Sequence, residues 1–308
     1  MTISKFFTTV LASVIAVVGL VSSASADPAA NATTNATTTS DIQRTLGFVP
    51  QFFTKLPAGM LPGAWDEMKG LQLNPSTALN GRTKELIGLG VAAQVPCRYC
   101  IVAHSEFAKL NGATDAELGE AVAMAAITRH WSTFLNGIQT DEPRFRAEIA
   151  KLVANAKQAA SAKHAAAAPV NVIDGASALR EVSALFGFAP EFLARFPEAG
   201  RAGAWKQMRD VQMNPKTALS GKTKELIGLA VASQVPCRFC VIAHTEFARL
   251  NGASEEELSE AVALASFTRD MSTMLNGMQV DEGQFRRDVD HVVKNVKAAA
   301  KQDALARR

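Results

Sequence analysis

Glu85, Cys97, Cys100 and His104 form the pattern E-x11-C-x2-C-x3-H, and Glu225, Cys237, Cys240 and His244 repeat it without a gap 140 residues further on. All four cysteines of the chain belong to these two sets. Cysteines three apart at the start of a helix lie side by side, within disulfide reach, and the free N–H groups of the first turn stabilise a thiolate there. A histidine four residues after the second cysteine lies one turn along the same face, where its imidazole can accept the Cys100 or Cys240 proton directly or through a water. A glutamate brought beside that imidazole orients it and stabilises its charged form. The same residues are compatible with plainer roles: a first-turn acid complementing the helix dipole, a structural histidine, an inert disulfide of an exported protein, or a zinc site of two thiolates, an imidazole and a carboxylate.

The elements that must position these residues are legible as helices. Thr83 is read as the N-cap of a helix running to Gln94, and Pro96 restarts the chain so that the next helix begins at the cysteines. Asn111-Gly112 stops that helix, and Thr114/Glu117 and Ser254/Glu257 form capping boxes opening helices that run to Asn136-Gly137 and Asn276-Gly277. Folding the Thr83–Gln94 helix back along the cysteine helix brings Glu85 level with His104. Few aromatic residues and an abundance of Ala, Leu, Met, Glu and Lys fit an all-α fold. More than half of the positions between Arg44 and Ala147 recur 140 residues later, the mark of a tandem duplication.

The repeats are bounded at 41–168 and 169–308. Before them, residues 1–26 read as a cleaved signal peptide, with Lys5, an apolar run from Phe6 to Val21 and Ala24-Ser25-Ala26. Cleavage leaves no stable membrane anchor and places the mature chain in the periplasm or outside the cell. Residues 27–40, rich in Asn, Ala and Thr, read as a disordered linker. A net charge of +3, evenly spread, argues against a nucleic-acid partner. Trp65/Trp205 and Phe52/Phe192 read as core residues or as the lining of an apolar pocket. Arg129 and Arg269 recur and read as partners of a buried acid or of substrate, whereas His130 and Trp131 do not recur and receive no role.

The duplicated pattern on two helices resembles the alkyl hydroperoxidase D family within the carboxymuconolactone decarboxylase superfamily, from about Gly47 to Gly137 and from Gly187 to Gly277. The resemblance implies two tandem all-helical repeats, no bound cofactor, and a thiol peroxidase acting on hydrogen peroxide and organic hydroperoxides. It makes Cys100 and Cys240 the peroxidatic thiols, Cys97 and Cys237 the resolving ones, and Glu85/His104 and Glu225/His244 the proton relays. It further implies a homotrimer and an external thiol reductant. Two-repeat relatives carry the cysteines in one repeat, whereas both repeats carry them here, so two sites are expected per chain. Superfamily members that decarboxylate a lactone lack the pair, which disfavours that reaction. Two alternatives stand beside the peroxidase: a protein dithiol-disulfide oxidoreductase and a disulfide-stabilised scaffold protein.

Overall fold

The computed structural model describes residues 28–161 and 171–306. The signal-peptide reading of residues 1–26 lies outside them. Among the described residues the chain is all α, with no strand. In the first repeat the helices are α1 (Pro28–Leu46), α2 (Leu61–Glu67), α3 (Gly81–Gln94), α4 (Arg98–Leu110), α5 (Asp115–Gly137) and α6 (Glu142–Ser161). In the second they are α7 (Gly175–Phe186), α8 (Glu191–Ala194), α9 (Glu198–Gln207), α10 (Gly221–Gln234), α11 (Arg238–Leu250), α12 (Glu255–Gly277) and α13 (Glu282–Ala306). None is long and apolar enough to cross a membrane.

Contacts divide the chain into two units, one of residues up to Val49 with Leu56–Trp65, the other of Pro50–Lys55 with everything from Asp66 onward. In the smaller unit α1 occupies the stretch expected to be a disordered linker. Its hydroxyls explain how so polar a segment becomes helical. Thr37, Thr38 and Ser40 each donate to the carbonyl four residues back, at 2.9–3.0 Å, so these hydroxyls are satisfied within the helix. Thr38 and Ile42 are buried, and the Trp65 indole donates to Asp41 Oδ2 at 2.8 Å.

In the larger unit the stop and start signals act as read, with one shift. The N-cap of α3 is Asn80, not Thr83: its side chain accepts from the Thr83 N–H, and the helix begins two residues before Thr83. Asn outranks Thr at the N-cap, and either satisfies an N–H that the helix leaves free. The α4 helix ends at Asn111, with Gly112 in the left-handed region at φ +84°, and both capping boxes form at the starts of α5 and α12.

The two repeats are not separate bodies side by side. Helices α3 and α10 pack on each other, α5 packs on α10, and α12 packs on α3. The last helix of each repeat lies on the cysteine helix of the other, α6 against α11 and α13 against α4. Leu86, Ile87 and Val91 share one apolar cluster with Leu226, Ile227 and Val231. Gly90 permits this approach, since a Cβ there would stand 2.8 Å from Ile227 Cγ2. Two fully buried lysines cross the interface. Lys84 Nζ lies 3.2 Å from Glu260, and Lys224 Nζ lies 2.9 Å from Glu120. Carbonyl oxygens of Leu71 and Asn74 accept from Lys84, and those of Val211 and Asn214 accept from Lys224, so each buried ammonium is both paired and hydrogen-bonded.

Candidate functional site

Each of the eight residues singled out by spacing lies at one of two equivalent places. Cys97 and Cys237 are the N-caps of α4 and α11, and their sulfurs accept from the N–H of Cys100 at 3.1 Å and of Cys240 at 3.3 Å. His104 and His244 follow one turn after the second cysteine. Across from them, α3 and α10 present Glu85 and Glu225, whose Oε2 atoms lie 2.7 Å from His104 Nδ1 and 2.6 Å from His244 Nδ1. A carboxylate accepts here, so Nδ1 carries the proton and Nε2 is left to face the rest of the site. All four of these side chains are buried.

The imidazoles fit because of a glycine one helical turn beyond each glutamate. A Cβ on Gly88 would stand 2.3 Å from His104 Cε1, and one on Gly228 would stand 2.3 Å from His244 Cε1. The second glutamate oxygen is also held. Gln72 Nε2 donates to Glu85 Oε1 at 2.7 Å, and Gln212 Nε2 donates to Glu225 Oε1 at 3.0 Å. Both glutamines end a single π-helical turn, Met68–Gln72 and Met208–Gln212, the kind of local widening that re-aims a side chain. Sequence reading missed them, although the identity of Gln72 and Gln212 across the duplication was a signal available to it.

It also missed the residues that face Nε2. Thr128 Oγ1 lies 3.2 Å from His244 Nε2, and Thr268 Oγ1 lies 3.4 Å from His104 Nε2. Each threonine comes from the other repeat. Arg129 and Arg269, expected to meet a buried acid or substrate, are exposed.

The two cysteine pairs differ. Cys97 and Cys100 are joined in a disulfide, with their Cα atoms 5.3 Å apart, while Cys237 and Cys240 are free thiols. In the free pair the order of ionisation is the reverse of the one expected from the histidine's position. A hydrogen bond from the Cys240 thiol, helped by Ser132, the Cys240 N–H and Asn136, outweighs burial and brings Cys237 down to about 6. The Cys240 thiol is pushed up, because it donates to Cys237 and is buried beside it. The reason is geometric: the N-cap sulfur receives donors from several sides, while the histidine that was to ionise Cys240 has its Nε2 on Thr128.

A cavity of about 280 Å³ opens onto the second site. Cys240, His244 and Glu225 line it, together with Thr128 and Gln212, whereas Cys237 does not. Its walls are apolar, and Trp131, Phe145, Phe192 and Trp205 carry much of them. Trp131 and Phe192 meet edge to face at 5.3 Å between ring centres. The pocket reading of Phe192 and Trp205 therefore holds at this site, and Trp131, given no role from sequence because it does not recur, is part of the wall. Among the described residues no group of three or more His, Cys, Asp or Glu side chains is arranged to hold a metal ion.

Segments 61–140 and 200–282, together more than half of the chain, match the carboxymuconolactone decarboxylase family. The chain belongs to that family. The two matches fall on the two repeats, and each contains one C-x-x-C pair, in keeping with a duplicated, alkyl hydroperoxidase D-like member. A curated relative from Paracoccus denitrificans, uncharacterized protein 4 in the cox locus, is 33% identical over 84 residues, which cover 26% of this chain and 76% of the relative. No solved structure matches the chain.

Proposed function

We propose that this member of the carboxymuconolactone decarboxylase family is a thiol peroxidase that reduces hydrogen peroxide and organic hydroperoxides. The observation that carries the reading is the meeting, in one apolar cavity, of the Cys240 sulfur with a histidine backed by a glutamate. Apolar walls suit the organic part of a hydroperoxide, and the buried imidazole supplies a proton where the O–O bond breaks.

In this reaction the Cys240 proton, held at rest by Cys237, passes to the relay as the hydroperoxide enters, and the thiolate so formed attacks the terminal peroxide oxygen. An S–O bond forms, the O–O bond breaks, and the departing alkoxide takes a proton from the imidazole. Cys237 then attacks the sulfenic sulfur, forming the disulfide and releasing water. Two equivalents of an external thiol restore the pair, so one hydroperoxide and two thiols give an alcohol, water and a disulfide. Cys100 and Cys97 do the same in the first repeat.

The experiment is stopped-flow oxidation of the reduced chain by cumene hydroperoxide, with dimedone trapping. Saturable loss of two thiols per site, with the trapped sulfenic acid on Cys240 in a Cys237→Ser chain, supports the reading. A dithiol-disulfide oxidoreductase is the second reading, favoured by the low value of Cys237. It predicts faster reaction with a protein disulfide than with the hydroperoxide, and the full burial of Cys237 counts against it. We further propose export to the periplasm or beyond, resting on residues 1–26, and assembly as a homotrimer, which light scattering giving a monomer mass would overturn.

A further inference from the structure

Thr128 stands where the two reacting groups of the second site come closest to sharing a neighbour. Its hydroxyl is 3.2 Å from His244 Nε2, and its carbonyl oxygen lies 4.0 Å from Cys240 Sγ. The side chain is almost wholly buried. Thr268 has the same relation to His104 in the first site, at 3.4 Å. One and two turns further along α5 come Ser132 and Asn136, on the same helix face, and both help to lower the Cys237 thiol. The amide of Asn136 also donates to the Ser132 carbonyl at 2.7 Å. The ladder Thr-x3-Ser-x3-Asn recurs in α12 as Thr268, Ser272 and Asn276.

We propose that each cysteine site is completed from the opposite repeat, with Thr128 as a positioning residue for His244 and Cys240 and Thr268 for His104. A threonine hydroxyl suits this place because it has both a proton and lone pairs. While Nε2 is bare, the hydroxyl donates to it and holds the ring toward the sulfur. When Nε2 takes up the thiol's proton, the hydroxyl turns and accepts from it, so the ring stays in register through both halves of the proton's journey. A methyl group in its place would leave a buried ring nitrogen without a partner. The inference rests on the peroxidase reading for the purpose of the proton transfer, but not for the geometry, and its test separates the two.

The test uses two reduced full-length backgrounds, Cys97→Ser/Cys100→Ser, which leaves the second pair, and Cys237→Ser/Cys240→Ser, which leaves the first. Thr128→Val, close in shape to threonine, should slow single-turnover oxidation by cumene hydroperoxide at pH 7 by roughly 10- to 100-fold where the second pair remains. It should leave the first pair unaffected. Thr268→Val should do the reverse, and Thr128→Ser should return the second pair to within about threefold of its starting rate, since the hydroxyl is restored. The pH profile of iodoacetamide alkylation is measured on the same proteins and needs no peroxide. A change in that profile at the second pair caused by Thr128→Val, without peroxide consumption by any variant, would retain the threonine and remove the peroxidase. Equal slowing of both pairs, slowing of the pair in the variant's own repeat, or no rescue by serine would overturn the assignment. Should Thr128→Val not fold, the first pair carries the test: Thr268→Val should slow it and Thr268→Ser should restore it, and an unchanged rate in Thr268→Val counts against the assignment.

Discussion

The first and second cysteine sites share their polar frame and differ in what covers it. Glutamate, histidine and glutamine are superimposable in role, with Glu–His contacts of 2.7 and 2.6 Å. Over the second site the aromatic wall is Trp131, Phe145 and Phe192, with Phe239 beside Phe145. Around the first cysteine pair the counterparts are Phe285, Phe52 and Tyr99, and the place of Trp131 is taken by Met271. Tyr99 also ties its hydroxyl to the Val280 carbonyl at 2.6 Å, a bond that Phe239 cannot make. Every residue whose atoms meet at hydrogen-bond distance in the relay is kept in both copies, and of the apolar cover Phe145/Phe285 and Phe192/Phe52 are kept as well. Those that changed pack by shape, where apolar replacements are tolerated. Duplication has therefore preserved the relay while letting the two covers diverge.

The strongest challenge to this equivalence is a substitution in the shared frame. Lys224→Met removes a buried cation and leaves the largely buried Glu120 carboxylate without its counter-charge, which should cost about 3–5 kcal/mol of stability. Lys84→Met should do the same through Glu260, and denaturant melts that place the two variants far apart would show that the interface is not as symmetric as its contacts. A smaller effect is expected from Gly228→Ala, whose Cβ displaces the His244 ring. About a 10²-fold loss of second-site turnover is expected, as for any comparable misplacement of a reacting group. Gly88→Ala should do this at the first site. These glycines act within their own repeat while the threonines act across it, so the four variants together map the site.

The free pair offers a third measurement. In the Cys97→Ser/Cys100→Ser chain, thiolate absorbance should rise with a midpoint of about 6, well below the ordinary thiol value of 9.0, and should correspond to one sulfur. Because the folded value is lowered, the stability that this thiolate contributes is complete above the ordinary thiol range and is lost as pH falls through about 6. A single midpoint near 9 would mean that the N-cap donors do not hold the charge. The mildest test is Trp131→Met, which gives the second site the residue found at the first. It should weaken selectivity for cumene hydroperoxide over hydrogen peroxide by about tenfold or less, as expected for a trimmed apolar pocket. Unchanged selectivity would remove Trp131 from the substrate's wall.

What could be known from the residues alone was whatever is local or periodic. The duplication, the stop at Gly112, both capping boxes and the start of a helix at the cysteines depend on neighbours within a few positions, where backbone sterics and the free N–H groups of a helix end decide the outcome. Even the Glu85–His104 meeting, 19 residues apart, follows from folding one helix back on the next. The helix over Pro28–Leu46 is not legible in composition, which does not reveal that hydroxyls can bond backward along their own helix. Beyond that range, spacing carried no information. Thr128 meets His244 across 116 residues and Lys84 meets Glu260 across 176, through an interface between repeats that no local pattern encodes. The order of thiol ionisation belongs to the same class. Position along a helix suggested that the histidine would claim the Cys240 proton, but a buried sulfur's charge is settled by every donor around it, and Ser132 and Asn136 arrive from the opposite repeat only when the chain has folded.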